Sequence, residues 1–290
     1  MMKELTRSIV FSMLPRRAPD AHKGDFGKLL VFAGSSRYRG AARLAVSGAL
    51  RCGAGIVTLA STERVIAAAA CDLPETTFLP LPEDPDGSVS AAGLNLLLQA
   101  ASGCTALAVG CGLTCSAGPD TLVRALLELP VPLVLDADGL NLIAGKLELL
   151  CRRTAPTLLT PHPGEMARLC GCSTAEIQAA REKHALHLAR QTGCVLLLKG
   201  HGSLIAAPDG ECYRNPTGGP GLARGGSGDL LTGMAAAFLA QGLPALDAAL
   251  CAAWLHGAAA DACAARRGVL SMLPHDLLDD LCVLLAENHF

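Results

Sequence analysis

What most constrains this chain is a set of short apolar runs that stay unbroken almost to their ends: LLVFA at 29–33, IVTLA at 56–60, ALAV at 106–109, LVLD at 133–136 and VLLLK at 195–199. Each is too short for a typical helix and lacks strict polar alternation, which marks a strand buried on both faces. Segments with apolar residues at helical spacing lie between them, and helices are expected over 41–52, 63–70, 91–101, 119–129 with Pro119 at its start, and 174–192. Further strands are expected at 76–79 and 156–160, with a hairpin of 203–206 and 211–213 around Pro208-Asp-Gly210. Strands alternating with helices imply an α/β fold built on a mostly parallel central sheet with helices on both faces. No internal repeat or low-complexity linker interrupts the pattern, so residues 1–290 are expected to form one domain, with 1–20 as an arm or short helix.

Composition fits that interior. Hydrophobic residues reach 51% with only 3% aromatics, because Ala, Leu and Val carry the apolar content. A formal net charge of −2 gives no general attraction to nucleic acid or to an anionic membrane, so an anionic ligand must be held by local devices. The thirteen cysteines include no Cys-x-x-Cys pair, and the close spacings at Cys111 with Cys115 and at Cys170 with Cys172 lack a second pair for zinc. They read as reduced thiols in a cytoplasm. The apolar piece at 9–14 runs into Pro15-Arg-Arg17 and makes a poor signal peptide. Residues 230–265 come nearest to a membrane span, but Gln241, Pro244, Asp247, His256 and Asp261 are expected to break them into two helices.

In an open parallel sheet, ligands sit beyond the carboxyl ends of the strands. That rule gathers Gly34-Ser-Ser36, Gly110-Cys-Gly112, Asp136-Ala-Asp138, Thr160-Pro-His-Pro-Gly-Glu165 and Lys199-Gly-His-Gly-Ser203, all of which follow apolar runs. No P-loop is present at Gly27-Lys28 or Gly145-Lys146, and Gly53-Ala-Gly55 lacks the rest of a dinucleotide fingerprint. A different phosphate device stands at 218–233, GGPGLARGGSGDLLTG. Its glycines let backbone N–H groups approach an anion at the positive end of the next helix. Asp229 at that helix start has two readings: a general base on an attacking hydroxyl, or simply an N-cap.

Several motifs follow one another in order: His22-Lys-Gly with Gly27-Lys28, Ala33-Gly-Ser with Gly40-Ala-Ala42, Asp136-Ala-Asp-Gly-Leu-Asn141, Thr160-Pro-His-Pro-Gly-Glu165, Lys199-Gly200 and Gly225-Gly-Ser-Gly-Asp-Leu-Leu-Thr-Gly233. With them, residues 22–265 resemble the ribokinase-like superfamily and, within it, the ADP-dependent NAD(P)H-hydrate dehydratase family, in a stand-alone form without the epimerase domain. The resemblance implies an enzyme that uses ADP, or ATP, to return hydrated NADHX and NADPHX to NADH and NADPH. Phosphorylation of the ring hydroxyl would turn a poor leaving group into a good one, and the ring nitrogen would expel it as phosphate.

It also implies roles. Asp229 is then the base, with the N–H groups of Gly226, Ser227 and Gly228 as anion hole. Ala41, Gly112, His162 and Asp229 would touch the hydrated dinucleotide. Lys199, Gly200, His201, Gly202, Ser203 and Gly228 would line the nucleotide, and Glu165 would organise Mg²⁺ through water. Partners implied are NADHX or NADPHX with ADP, a homo-oligomer, and a separate epimerase, since only about twenty residues precede His22; nucleic acid and membrane are not among them.

Other readings stand beside these. His162 between two prolines also suits a loop end, His201 suits a solvent-exposed turn, Lys199 a strand-end surface charge, and Asp136, Asp138 and Asn141 turn formers. His256 inside an apolar helix reads as a satisfied core histidine. A vitamin-precursor or sugar kinase of the same superfamily would share the anion hole and Asp229 but release a stable phosphoester, and a nucleotide sensor would bind without turnover. Two departures touch the loop: Gly219 stands where the family usually has Asn, and Arg224 where a small polar residue is usual.

Overall fold

The apolar runs become the middle of one sheet. The computed structural model describes residues 2–288; residues 1, 289 and 290, the ends of the expected domain, lie outside the described residues. Among the described residues the strands are β1 Lys3–Glu4, β2 Lys28–Phe32, β3 Ile56–Thr62, β4 Thr77–Leu81, β5 Ala106–Val109, β6 Leu133–Leu135, β7 Thr157–Leu159, β8 Val195–Leu198, β9 Leu204–Ala206 and β10 Cys212–Arg214. They pair in the order β1-β10-β9-β8-β7-β6-β5-β2-β3-β4. Every pair is parallel except β8 with β9 and β9 with β10, the expected hairpin and its neighbour. β4, at the edge, accommodates Pro80 because no further strand needs its N–H.

The first helices are α1 Arg7–Met13, α2 Arg39–Arg51, α3 Glu63–Ala70, α4 Leu94–Ser102, α5 Ala117–Leu127, α6 Asp138–Ile143 and α7 Glu148–Cys151. They are followed by α8 Pro163–Cys170, α9 Thr174–Ala179, α10 Arg181–Thr192, α11 Ser227–Ala240, α12 Ala245–Arg267 and α13 Leu277–Ala286. Because successive strand residues face opposite sides, Leu29 and Val31 join one core with α2, α11 and α12, while Leu30 and Phe32 join a second core with α4, α5 and α10. Both faces of the sheet are therefore covered, as unbroken apolar strands require.

Several expectations are corrected. The helix expected over 174–192 is two, because Ala180 leaves the helical region at φ −145° and ψ 49°. The new direction of α10 lets Arg181 Nη2 reach the carbonyls of Leu198 and Lys199 at 3.1 and 3.3 Å. The segment 163–170, expected only as a polar strand end, is helix α8, and α6, α7 and α13 were likewise not expected. α5 starts at Ala117, so Pro119 sits in the first turn and not at the first position; its missing N–H costs nothing there. The arm forms α1 and adds β1 to the sheet beside β10. Residues 230–265 do split, but at 241–244; Asp247, His256 and Asp261 lie within α12. That helix is long and apolar enough to cross a membrane, yet most of it is buried inside the protein.

Candidate active site

The strand-end loops meet at the start of α11. Gly226 precedes that helix at φ +98°, a conformation that favours glycine, and it acts as N-cap without any side-chain capping bond. Asp229 is therefore the third helical residue and not the cap, which removes the simplest structural explanation for its carboxylate. Among the described residues, the N–H groups of Gly226, Gly228 and Asp229 have no acceptor. Ser227 N–H is less free than expected, since it lies 3.4 Å from the Arg224 carbonyl. Ser227 Oγ is buried without a partner among the described residues. A helix start with open donors is an anion site in waiting.

Under that helix start lies a charge triad. Asp136, 1% exposed, follows β6 and accepts from Lys199 Nζ through Oδ1 at 2.6 Å and from Thr232 Oγ1 through Oδ2 at 2.6 Å. A Cβ on Gly228 would stand 3.2 Å from Lys199 Nζ and 3.6 Å from Asp136 Oδ2, so the pair sits directly beneath the glycine loop. Glu165 Oε2 is a further 3.8 Å from Lys199 Nζ. One ammonium thus faces two buried carboxylates. Burial opposes the charge on Lys199, but Asp136 and Glu165 outweigh it and hold the ammonium above the usual lysine value. Glu165 is the less compensated carboxylate: burial, against the pull of Lys199, pushes it up to about 7. For Asp229 burial comes first and the Asp136 charge second, both raising its carboxyl, while a Cys111 thiol contact and Lys199 pull it down.

α8 begins with a reciprocal cap. His162 Nδ1 accepts from the N–H groups of Gly164 and Glu165 at 3.0 and 3.3 Å, while Glu165 Oε2 accepts from His162 N–H at 2.7 Å. With Nδ1 accepting, the imidazole proton resides on Nε2, which faces Glu165 Oε1 at 3.3 Å. Burial, with Lys199 and Arg168 nearby, lowers the imidazole pKa and keeps the ring neutral. His162 is thus a helix cap whose side chain remains 51% exposed. Pro163 at the first helical position and Glu165 three residues after the cap were a readable helix signature.

The remaining expected residues fall on two flanks. Ala41 and Gly112 are neighbours, since a Cβ on Gly112 would come within 2.9 Å of Ala41 Cβ. Gly200 and Gly202 both take positive φ, at +134° and +60°, and lie against the guanidinium groups of Arg181 and Arg214. His201 is exposed between them, and Ser203 Oγ donates to the Gly200 carbonyl at 2.9 Å. Lys199 is not a surface charge: its side chain is 17% exposed and spent on Asp136. Arg224 turns away, donating to the Leu270 carbonyl at 2.8 Å. His256 is buried as expected, but among the described residues its Nε2 has no hydrogen-bond partner, and burial lowers its pKa to about 4.

Sequence reading missed Thr232 as the second holder of Asp136; its place three residues after Asp229, on the same helical face, was the available signal. It also missed that Ala137, between the two aspartates, is held at φ +50° and ψ −119°, a strained non-glycine conformation at the site. Among the described residues, no group of three His, Cys, Asp or Glu side chains is placed to hold a metal ion. The arrangement suits moving a proton from a hydroxyl while an anionic group is held at the helix start.

Comparisons with known proteins agree on one family. The family model described as NAD(P)H-hydrate dehydratase matches residues 29–282. The ADP-dependent (S)-NAD(P)H-hydrate dehydratase of Bacillus subtilis is 37% identical over 276 residues, covering 95% of each chain. The crystal structure of the Bacillus subtilis ADP/ATP-dependent NAD(P)H-hydrate dehydratase, co-crystallised with ATP/Mg²⁺, superposes with a TM-score of 0.85 at 34% identity, covering 99% of each chain. The Bifunctional NAD(P)H-hydrate repair enzyme Nnr of Moorella thermoacetica is 45% identical over 98% of this chain, which spans only 54% of that relative. Against such bifunctional relatives the chain accounts for about half the length.

Proposed function

The chain belongs to the NAD(P)H-hydrate dehydratase family, and from that premise we propose that it dehydrates the S form of NADHX and NADPHX to NADH and NADPH at the expense of ADP or ATP. The observation that carries the reading is Asp229: a carboxylate in the first turn of α11 that caps nothing, beside N–H groups with no acceptor. Asp229 takes the proton of the ring hydroxyl as its oxygen bonds to the terminal phosphorus of the nucleotide, and the bond from that phosphorus to the nucleotide breaks, leaving AMP when ADP is used. The open N–H groups of Gly226 and Gly228 hold the charge that builds on the phosphoryl oxygens. The ring carbon to oxygen bond then breaks under the push of the ring nitrogen, phosphate leaves, and loss of a proton from the adjacent carbon restores the double bond.

The chain's other residues position and exclude. Lys199, Asp136 and Thr232 fix the floor under Gly228, so the donors need no reorganisation as charge develops. Ala41, Gly112 and His162 take the hydrated dinucleotide, and Gly200 to Ser203 with Gly228 and Lys199 take the nucleotide side. Mg²⁺ would supply screening of phosphate charge. Glu165 fits it, being a buried carboxylate that Lys199 leaves under-compensated, and it would hold the ion through water.

Residues 1–290 acting as one domain, a homo-oligomer, a cytoplasmic location and a separate epimerase belong to the same proposal. In support of the location, all thirteen cysteines are free of disulfides. The test is incubation with hydrated NADH and ADP while the reduced nicotinamide absorbance is followed. A stable phosphoester instead would mark a small-molecule kinase, and binding without phosphate release a sensor.

A further inference from the structure

A dinucleotide brings at least a pyrophosphate to this site, and the chain's net charge of −2 supplies no general attraction for it. Beside the glycine loop, Lys199 is paired with Asp136, and Arg224 has one arm of its terminal fork, Nη2, committed to the Leu270 carbonyl. Arg168 differs from both. It lies on α8 three residues after Glu165, on the exposed side of the helix that His162 opens. Its positive charge is close enough to lower the pKa values of His162 and Glu165 alike.

Its guanidinium is also fixed in place. Arg168 Nε donates to Asn141 Oδ1 at 2.9 Å, and Asn141 Nδ2 donates to Asp138 Oδ1 at 3.3 Å. Asp138 Oδ2 in turn accepts from Thr114 N–H at 2.8 Å, at a residue held at φ +70°. The chain of bonds runs from a strained loop after β5, across the start of α6, to α8. The two terminal nitrogens of Arg168 have no acceptor among the described residues. An exposed arginine that is immobilised at Nε while its terminal fork is left open is arranged for a planar, two-point acceptor.

We propose that Arg168 binds a phosphate group of the hydrated dinucleotide, with Asn141 and Asp138 as the residues that aim it. The inference rests on the reading that the substrate is NADHX or NADPHX, and it adds a determinant of substrate affinity distinct from the helix-start donors, which serve the transferred phosphoryl. Two sources present the same chemistry, the pyrophosphate common to both substrates and the 2′-phosphate of NADPHX alone.

The experiment uses the full chain with Arg168→Gln, Asn141→Ala and the double variant. Steady-state kinetics on NADHX and NADPHX are joined by calorimetric titration with inorganic pyrophosphate and with adenosine 2′,5′-bisphosphate, which need no turnover. Arg168→Gln is expected to raise KM for the hydrated cofactor about tenfold or more, as loss of a charge-assisted contact does, with the KM for ADP unchanged. Asn141→Ala should raise it less, and the double variant should be no worse than Arg168→Gln, because Asn141 acts through Arg168. Arg168→Lys, which keeps the charge and loses the fork, should fall between. Loss confined to NADPHX and the bisphosphate assigns the 2′-phosphate; equal loss on both substrates with loss of pyrophosphate binding assigns the pyrophosphate. Unchanged KM for both substrates, or additive effects of the two single changes, would overturn the proposal. If the unmodified protein turned over neither hydrate, the functional reading would fail, while the two titrations would still decide whether Arg168 binds phosphate.

Discussion

Replacing Asp229 with Asn separates a catalytic carboxylate from a structural one. Gly226, not Asp229, caps α11, so the change removes no capping bond. It removes one negative charge from a helix start, which costs about 0.3–1 kcal/mol at exposed sites. Against that, it relieves the burial and the Asp136 repulsion that together raise the Asp229 carboxyl. The two act in opposite directions, and at about 2–4 °C per kcal/mol for a chain approaching this size, the Tm should move by no more than about 3 °C. Turnover should fall by roughly 10²- to 10⁴-fold, the usual contribution of a general base, or about 3–5 kcal/mol of barrier. The assay pairs a thermal melt with the rate of return of reduced nicotinamide absorbance at saturating ADP. A variant that melts early yet keeps its specific activity would return Asp229 to a structural role. Because the raised carboxyl must ionise before it accepts a proton, the acid limb of kcat/KM should also lie above the ordinary aspartate range.

Two further outcomes follow from the buried charges. Lys199→Met strands Asp136, 1% exposed, with Thr232 as its remaining partner, and breaking such a pair costs about 3–5 kcal/mol; the Tm should drop by roughly 6 °C or more, partly recovered by adding Asp136→Asn, and an unmoved Tm would mean the pair is not holding the site floor. Glu165 has a folded pKa raised from 4.5 to about 7, so the folded state keeps an extra proton between those values and loses stability as pH rises through that window. Glu165→Gln should therefore gain on the unmodified protein by about 1–3 kcal/mol from pH ~5 to pH ~7.5 in denaturant titrations, and a constant difference would show that Glu165 titrates normally.

Much of the sheet was legible because a strand buried on both faces must be a continuous apolar run, and 29–33, 106–109 and 195–199 are little else. The strand-end rule likewise placed Asp136, Glu165 and Lys199 on one edge before any distance was known. It did not tell that Lys199 closes on Asp136, 63 residues away, because spacing carries no information about such a pair. The break at Ala180 had no local mark: Ala179 before it and Arg181 after it are both good helix formers, and the reach of Arg181 to the end of β8 is a tertiary reason. α8 was different. Its cap, its Pro163 and its closing Gly171 were all present in the sequence, but the apolar stretch between them was too short to announce a helix by periodicity. Whether Asp229 was base or cap was undecidable from composition, since both uses place an acidic residue at a helix start; Gly226 at the N-cap removes the capping role alone.

The proposed chemistry uses a nucleotide to remove water from a hydrated nicotinamide cofactor. The direct measurement is a single incubation of the purified chain with S-NADHX, ADP and Mg²⁺, following reduced nicotinamide absorbance while AMP and phosphate are quantified from the same samples. Absorbance should return, and NADH, AMP and phosphate should appear in equal amounts. Return without AMP, AMP with a persisting phosphoester, or no return at all would contradict it.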